Sequence, residues 1–199
     1  METLPPRELP ERAAFDRFDG GTATLESATK ANITPGDLER ITEICNQPRV
    51  RIWVTEHYAT GRDGSYTLED AKKFINMADD GWARKQAFVY LIRDEEERIM
   101  GAIDIKSADK SGTEIGYWAD TSRDQGGYMT NALNLLCDIA ARAGYESLSA
   151  YVMPRNAASI GVLTRAGFEN KGLTYRRTES NDIGVLEYCK VLVDENNGD

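Results

Sequence analysis

The chain has 199 residues, 41% of them apolar and one of them histidine, and a net charge of −9. That length predicts one domain with a substantial core, the acidic balance argues against general nucleic-acid binding, which needs a basic face, and with no apolar run of 18 or more residues no membrane-spanning helix is expected. Three cysteines, Cys45, Cys137 and Cys189, are odd in number and lack metal-ligand spacing, and with His57 as the one histidine they predict a cytoplasmic protein without a metal site.

In chain order, METLPPRELPERAAF has no apolar core region, so residues 1–20 read as a mobile leader, 21–193 as the domain and 194–199 as a polar tail. Thr22 to Thr29 alternates weakly and suits a first strand. Thr34-Pro35-Gly36-Asp37, followed by Leu38, Ile41, Ile44 and Cys45, suits a helix with an early proline. Arg49 to Val54 is ambiguous, and Gly61 to Ser65 is a loop. Thr67-Leu68-Glu69-Asp70 approaches a capping box and opens a helix carrying Ala71, Phe74, Ile75 and Ala78.

Ala87 to Ile92 reads as a buried strand, Asp94 to Glu97 as a charged turn, and Ile99 to Ile105 and Thr113 to Ala119 as two more strands of a meander. Met129, Ala132, Leu133, Leu136, Cys137 and Ala140 mark the apolar stripe of a helix that Gly144 ends. Leu148 to Val152 is a strand and Ala157 to Ala166 a helix ended by Gly167. Thr174 to Thr178 and Val185 to Val193 form a closing hairpin around Ser180-Asn181-Asp182. The strand, helix and strand from Gly116 to Val152 predict one parallel pair. The fold expected is α/β (α+β mixed): a largely antiparallel mixed sheet of about six to seven strands with helices on both faces.

Two features carry chemistry. Gly126 and Gly127 stand where a strand hands over to a helix, and the unpartnered amides there, with the helix dipole, form a ready pyrophosphate cradle. A second polar helix start, Asn156 to Ser159, follows the next strand. Two such starts suit a ligand with a diphosphate and a long polar arm, such as coenzyme A.

Three blocks in order, EIGYW (Glu114 to Trp118), the glycine turn leading into Thr130 to Leu133, and Asn156-x-x-Ser159 with Ala166-Gly167-Phe168, resemble the GCN5-related N-acetyltransferase (GNAT) superfamily, in particular its RimJ/RimL-like branch. The resemblance is strongest over residues 85–192. It implies strands that splay around the crossover helix, acetyl-CoA in the gap, and acetyl transfer to a primary amine of a small cationic molecule or a peptide N-terminus, directly within a ternary complex. It also implies a monomer or homodimer. The implied CoA contacts are Tyr117, Trp118, Ala119, Arg123, Gln125, Gly126, Gly127, Tyr128, Met129, Thr130, Asn156 and Ser159. Where the family usually shows Gln/Arg-Gly-x-Gly, this chain has Gln125 at the first glycine position.

Glu114 is the candidate base, and the resemblance places a glutamate at its position in RimL-like enzymes. A carboxylate partly buried beside aromatic side chains would hold its proton more tightly. The alternative role is a structural hydrogen bond. The position where many members carry a tyrosine is Leu163, so Ser159 becomes the candidate acid facing the leaving sulfur, with helix capping as its alternative. Asn156 is expected to cap its helix, and Cys137 to lie in the core. Trp53, Tyr58, Tyr66 and Trp82 are expected to pack around the acceptor region. The net charge, with Asp63 to Asp70 and Asp79 to Trp82, suggests an acidic rim for a cationic acceptor, the alternative being that the charge serves solubility alone. A non-catalytic acyl-CoA sensor is the alternative function. A dinucleotide-binding domain is disfavoured because Gly-x-Gly-x-x-Gly is missing.

Overall fold

The structure, a computed structural model, describes residues 8–55, 59–122, 127–177 and 182–192, with only the backbone at 54 and 55. Among them the chain forms β1 (Arg12–Asp16), β2 (Thr22–Ser27), α1 (Pro35–Cys45), the short α2 (Pro48–Val50) continued by a wider turn at Arg51–Thr55, α3 (Leu68–Arg84), β3 (Phe88–Arg93), β4 (Ile99–Ile105), β5 (Thr113–Ala119), α4 (Tyr128–Arg142), β6 (Ser147–Val152), α5 (Ala157–Arg165), β7 (Glu169–Arg177) and β8 (Asp182–Val191). Hydrogen-bonded strand neighbours follow the order β1-β2-β3-β4-β5-β6-β8-β7. The pair β5 and β6 is parallel, at Thr113–Leu148 and Glu114–Ser149. The pairs β1-β2, β2-β3, β3-β4, β6-β8 and β7-β8 are antiparallel.

The largely antiparallel mixed sheet is as expected, with eight strands among the described residues against about six to seven. The extra one lies in the expected leader: Arg12–Asp16 pairs with β2 along its whole length. Its composition, RAAFD, carries no strong strand signal, and Arg12 ties it across to Glu26 at 2.8 Å and Glu97 at 2.6 Å.

Contacts divide the chain into two compact units. One gathers Glu11–Ala108 and Gly116–Tyr128. The other gathers Asp109–Ile115 and the chain from Met129 onward.

The first unit is built on two capped helices. In α1, Thr34 and Asp37 satisfy each other's backbone amides, and in α3 Thr67 and Asp70 do the same. Each box ties down donors that the first helical turn leaves without partners. The apolar faces so oriented bury Ile41, Ile44, Cys45, Ala71, Ile75 and Ala78 against Val89, Leu91, Ile99 and Trp118. Arg93 ends the all-buried β3. Its guanidinium meets Glu26 at 2.6 Å and Asp37 at 2.8 Å and donates to the carbonyls of Asn32 and Glu97. A buried cation survives only with such complete pairing.

In the second unit α4 buries the expected stripe, Met129 through Ala140, and ends at Gly144 with φ +84°. Such a left-handed backbone is open to glycine without a Cβ penalty. The hairpin β7–β8 is longer than the sequence suggested, because β7 starts at Glu169. Its polar residues, ENKG, show no strand alternation, and the register shifts between Asn170 and Gly172. Pairing with the more apolar β8 holds them in line.

Candidate active site

The β5–α4 junction carries the first part of the site. The buried positions of β5 step by two from Thr113 to Ile115, then by three to Trp118. Trp118 therefore leaves the face expected from strict alternation with Glu114. It lies in the apolar core, with its ring 6.1 Å from that of Phe74. The irregularity has a visible partner: the amide of Gly116 donates to Asp104 Oδ1 at 2.7 Å.

Just beyond β5, Asp120 is buried and gathers several donors. Gln47 donates to it at 2.7 Å, the Ser122 amide at 2.9 Å, and Arg40 forms an ion pair with it. Burial works against this charge, but the bonds from Ser122 and Gln47 and the nearby guanidinium prevail and hold the carboxyl down at about 2. Gln47 also accepts from the Thr121 amide at 2.6 Å and the Thr121 hydroxyl at 2.9 Å. The segment entering the glycine turn is thus clamped by side chains of α1 and the residues after it. Sequence reasoning missed Arg40, Gln47 and Asp120. A lone polar residue after a helix gives no sign of its partner far along the chain.

Of the expected CoA cradle, Arg123, Gln125 and Gly126 lie outside the described residues. Gly127 is described, with φ +71°, and a Cβ placed on it would stand 2.5 Å from the Phe18 ring. A side chain at this position would be strained by the left-handed backbone and would have to displace the Phe18 ring; the first turn of α4 follows at once. Tyr128, Met129 and Thr130 are buried. Tyr128 donates to the Met100 carbonyl at 2.6 Å, and Thr130 accepts from Arg165 at 3.3 Å. Packing therefore engages the side chains of Trp118, Tyr128, Met129 and Thr130. Tyr117 and Ala119 are partly exposed.

At α5, Asn156 caps the helix by accepting from the Ser159 amide at 3.2 Å. That bond uses the backbone of Ser159, and the residue is half-buried. Leu163 is fully buried, an apolar core position.

A polar cleft of about 330 Å³ opens in the unit from Met129 onward, walled by Thr113, Glu114, Ser149, Tyr151, Thr174 and Arg176 among others. Glu114 Oε2 lies 2.8 Å from Arg176 Nη1. Arg176 also stacks over the Tyr151 ring at 4.5 Å. The Tyr151 hydroxyl donates to Glu187 at 3.2 Å, and burial, with Glu187 adding to it, raises the phenol above its ordinary value. Glu114, the residue expected as the base, thus lies beside an aromatic ring, and the guanidinium next to it was not foreseen from the sequence. Ser159 does not wall this cleft.

The other candidates have other roles. Cys137 is buried, and desolvation pushes its thiol up to about 11, which removes the thiolate that an acyl-enzyme would need. His57 and Tyr58 lie outside the described residues. Tyr66 is buried, and Trp82 donates to the Val89 carbonyl at 2.8 Å. The expected acidic rim is largely engaged in structure: Asp70 is buried under bonds from Thr60 and Thr67, and Asp79 holds Lys30. Among the described residues no group of three or more His, Cys, Asp or Glu is arranged for a metal, and no helix is long and apolar enough to cross a membrane.

Comparison with known proteins places this geometry in a family. Residues 31–169 match the family described as acetyltransferase (GNAT) domain. The chain is 28% identical over 135 residues to the protein named probable N-acetyltransferase YjcK of Bacillus subtilis (strain 168), covering 65% of this chain and 74% of that one. Its fold is similar to that of Mycobacterium smegmatis RimJ in complex with CoA-disulfide, with a TM-score of 0.75 at 19% identity over 94% of this chain and 90% of that one. It is also similar to RimL, a ribosomal L7/L12 α-N-protein acetyltransferase in complex with coenzyme A, with a TM-score of 0.68 at 17% identity over 87% and 96% of the two chains. The chain belongs to the GNAT acetyltransferase family. It is an N-acetyltransferase that uses acetyl-CoA as its acetyl donor.

Proposed function

We propose that the protein acetylates a primary amine, on a small molecule or at a peptide N-terminus, with Glu114 as the base. The observation that carries this reading is the position of Glu114: a half-buried carboxylate in the wall of a polar cleft, on the strand that leads to the Gly127 turn. RimL, whose fold this chain shares, is an α-N-protein acetyltransferase, which supports a peptide N-terminus among the candidates.

The reaction needs few protein groups. The amine arrives protonated and gives its proton to Glu114, directly or through a water. The freed nitrogen attacks the thioester carbonyl carbon, a C–N bond forms, and the C–S bond breaks as the tetrahedral centre collapses. The CoA thiolate leaves and takes up the second proton, which the acetylated nitrogen loses, relayed through the Ser159 hydroxyl, which gives its own proton to the sulfur and regains one from the nitrogen. No bond to the enzyme forms, in keeping with a buried, high-pKa Cys137. The amides at Gly127 and the first turn of α4 would hold the diphosphate, and the α5 start at Asn156 the pantetheine arm.

Acetyl-CoA consumption across peptides, amino acids, polyamines and other amines tests the reading. Transfer to a primary amine supports it. Turnover confined to hydroxyl acceptors, or none with any amine despite CoA binding, overturns it.

A further inference from the structure

Arg165 is the last residue of α5. A cation at that end of a helix meets the free carbonyls, and its charge is favoured there. Long helical side chains, however, run back toward the helix start, and this one lies over Gly161, where a Cβ would stand 3.0 Å from Arg165 Nη1. Arg165 Nε donates to the Thr130 hydroxyl at 3.3 Å. Thr130 is the third residue of α4 and is buried. The guanidinium is thus tied to the first turn of a second helix. At that end the backbone N–H groups lack intrahelical acceptors, and the dipole repels a cation.

No carboxylate offsets the repulsion. Among the described residues Arg165 forms no ion pair, and the uncharged Thr130 hydroxyl is its hydrogen-bond acceptor. The N–H groups on Nη1 and Nη2 remain as donors, and Arg165 is exposed. A helix start and a guanidinium side by side are two sources of positive potential that a phosphate group would complete, because the planar fork matches phosphate oxygens. Acetyl-CoA carries two such groups, the diphosphate between its pantetheine arm and its nucleoside, and the 3′-phosphate on its ribose. The tether to Thr130 favours the diphosphate, since α4 begins directly after Gly127, where φ is +71°.

We propose that Arg165 is a second anchor for the diphosphate of acetyl-CoA, gripping from α5 the group that the start of α4 holds through its amides. This rests on the reading of the Gly127 turn and the α4 start as the diphosphate cradle, and it adds a residue outside the glycine turn and outside the Asn156-x-x-Ser159 block.

Calorimetry with CoA and with dephospho-CoA, which lacks the 3′-phosphate and keeps the diphosphate, tests the proposal apart from turnover. Arg165→Gln is expected to weaken both ligands to the same degree, by about tenfold, the scale of one charge-assisted hydrogen bond. Arg165→Lys, which keeps the charge and loses the fork, is expected to recover part of that loss. Removing an unbalanced cation from a helix start should leave the melting temperature of the ligand-free protein unchanged or raise it. Unchanged CoA affinity in Arg165→Gln, or a loss confined to CoA with dephospho-CoA binding intact, overturns the proposal. A lowered ligand-free melting temperature in Arg165→Gln would assign the residue to packing and overturn it as well. Gly127→Asp separates this proposal from the reading beneath it. Wild-type CoA binding by Gly127→Asp would misplace the cradle itself, whereas weak binding by Gly127→Asp beside full binding by Arg165→Gln would remove Arg165 alone.

Discussion

Arg176 on β7 and Glu114 on β5 form an ion pair at 2.8 Å, although two other strands, β6 and β8, lie between theirs in the hydrogen-bonded order. The long guanidinium arm brings a cation to the carboxylate on which the proposed chemistry rests. Glu114→Gln keeps the shape and removes the charge. We expect kcat to fall by about 100-fold, the usual scale for losing a general base, with the melting temperature little changed. Steady-state kinetics across pH provides the check. A variant with wild-type kcat and the wild-type pH profile would remove Glu114 from the mechanism.

Asp120 links protonation to stability. Its folded value is about 2 against an ordinary 3.8, so the folded state favours the charged form. The stabilisation is therefore fully present above about pH 4 and fades as pH falls toward 2, a contribution of about 2 kcal/mol. Asp120→Asn should lower stability by about that amount at neutral pH, and the gap to wild type should close in acid. Urea titrations at several pH values measure it. A gap that persists undiminished at pH 2 would mean that the loss comes from shape and not from charge.

Gly127 tests the cradle. A side chain there must adopt φ near +71° and displace the Phe18 ring, which would stand 2.5 Å away. Gly127→Ala should cost about 1 kcal/mol or more of stability from the backbone alone. Gly127→Asp should also weaken CoA binding strongly, since a negative charge enters a site for a diphosphate. Calorimetry with CoA separates the two variants. Equal CoA affinity in Gly127→Asp and wild type would displace the proposed site.

Cys137 should be chemically silent. Burial pushes its thiol up to about 11, so a thiol reagent at pH 8 should leave it unmodified in the folded protein and modify it in urea. Cys137→Ala should retain near-wild-type kcat, with a loss of about 1 kcal/mol from the small cavity. Acetyl label retained on Cys137 after denaturation would replace direct transfer by a covalent route.

Much of this molecule could be read from local pattern. The buried strands β3, β4 and β5, the apolar stripe of α4, the capped start of α3 and the glycine ends at Gly144 and Gly167 depend on residues a few positions apart, where period and capping chemistry are visible. The family resemblance rested on the same short blocks. The strand β1 and the early start of β7 were not legible, since neither carries an apolar alternation and each is held by the strand it pairs with.

The site divides along the same line. Sequence alone marked Glu114, Gly127 and Asn156, because each sits in a local motif whose chemistry is visible in one stretch of chain. Only the tertiary structure turned Trp118 into the core, engaged Asp70 in a cap, clamped Asp120 with Arg40 and Gln47, and brought Arg176 to Glu114. These are contacts between distant segments. A long polar or charged side chain meets whichever partner the folded sheet and helices carry to it, and the sequence around it holds no record of that partner.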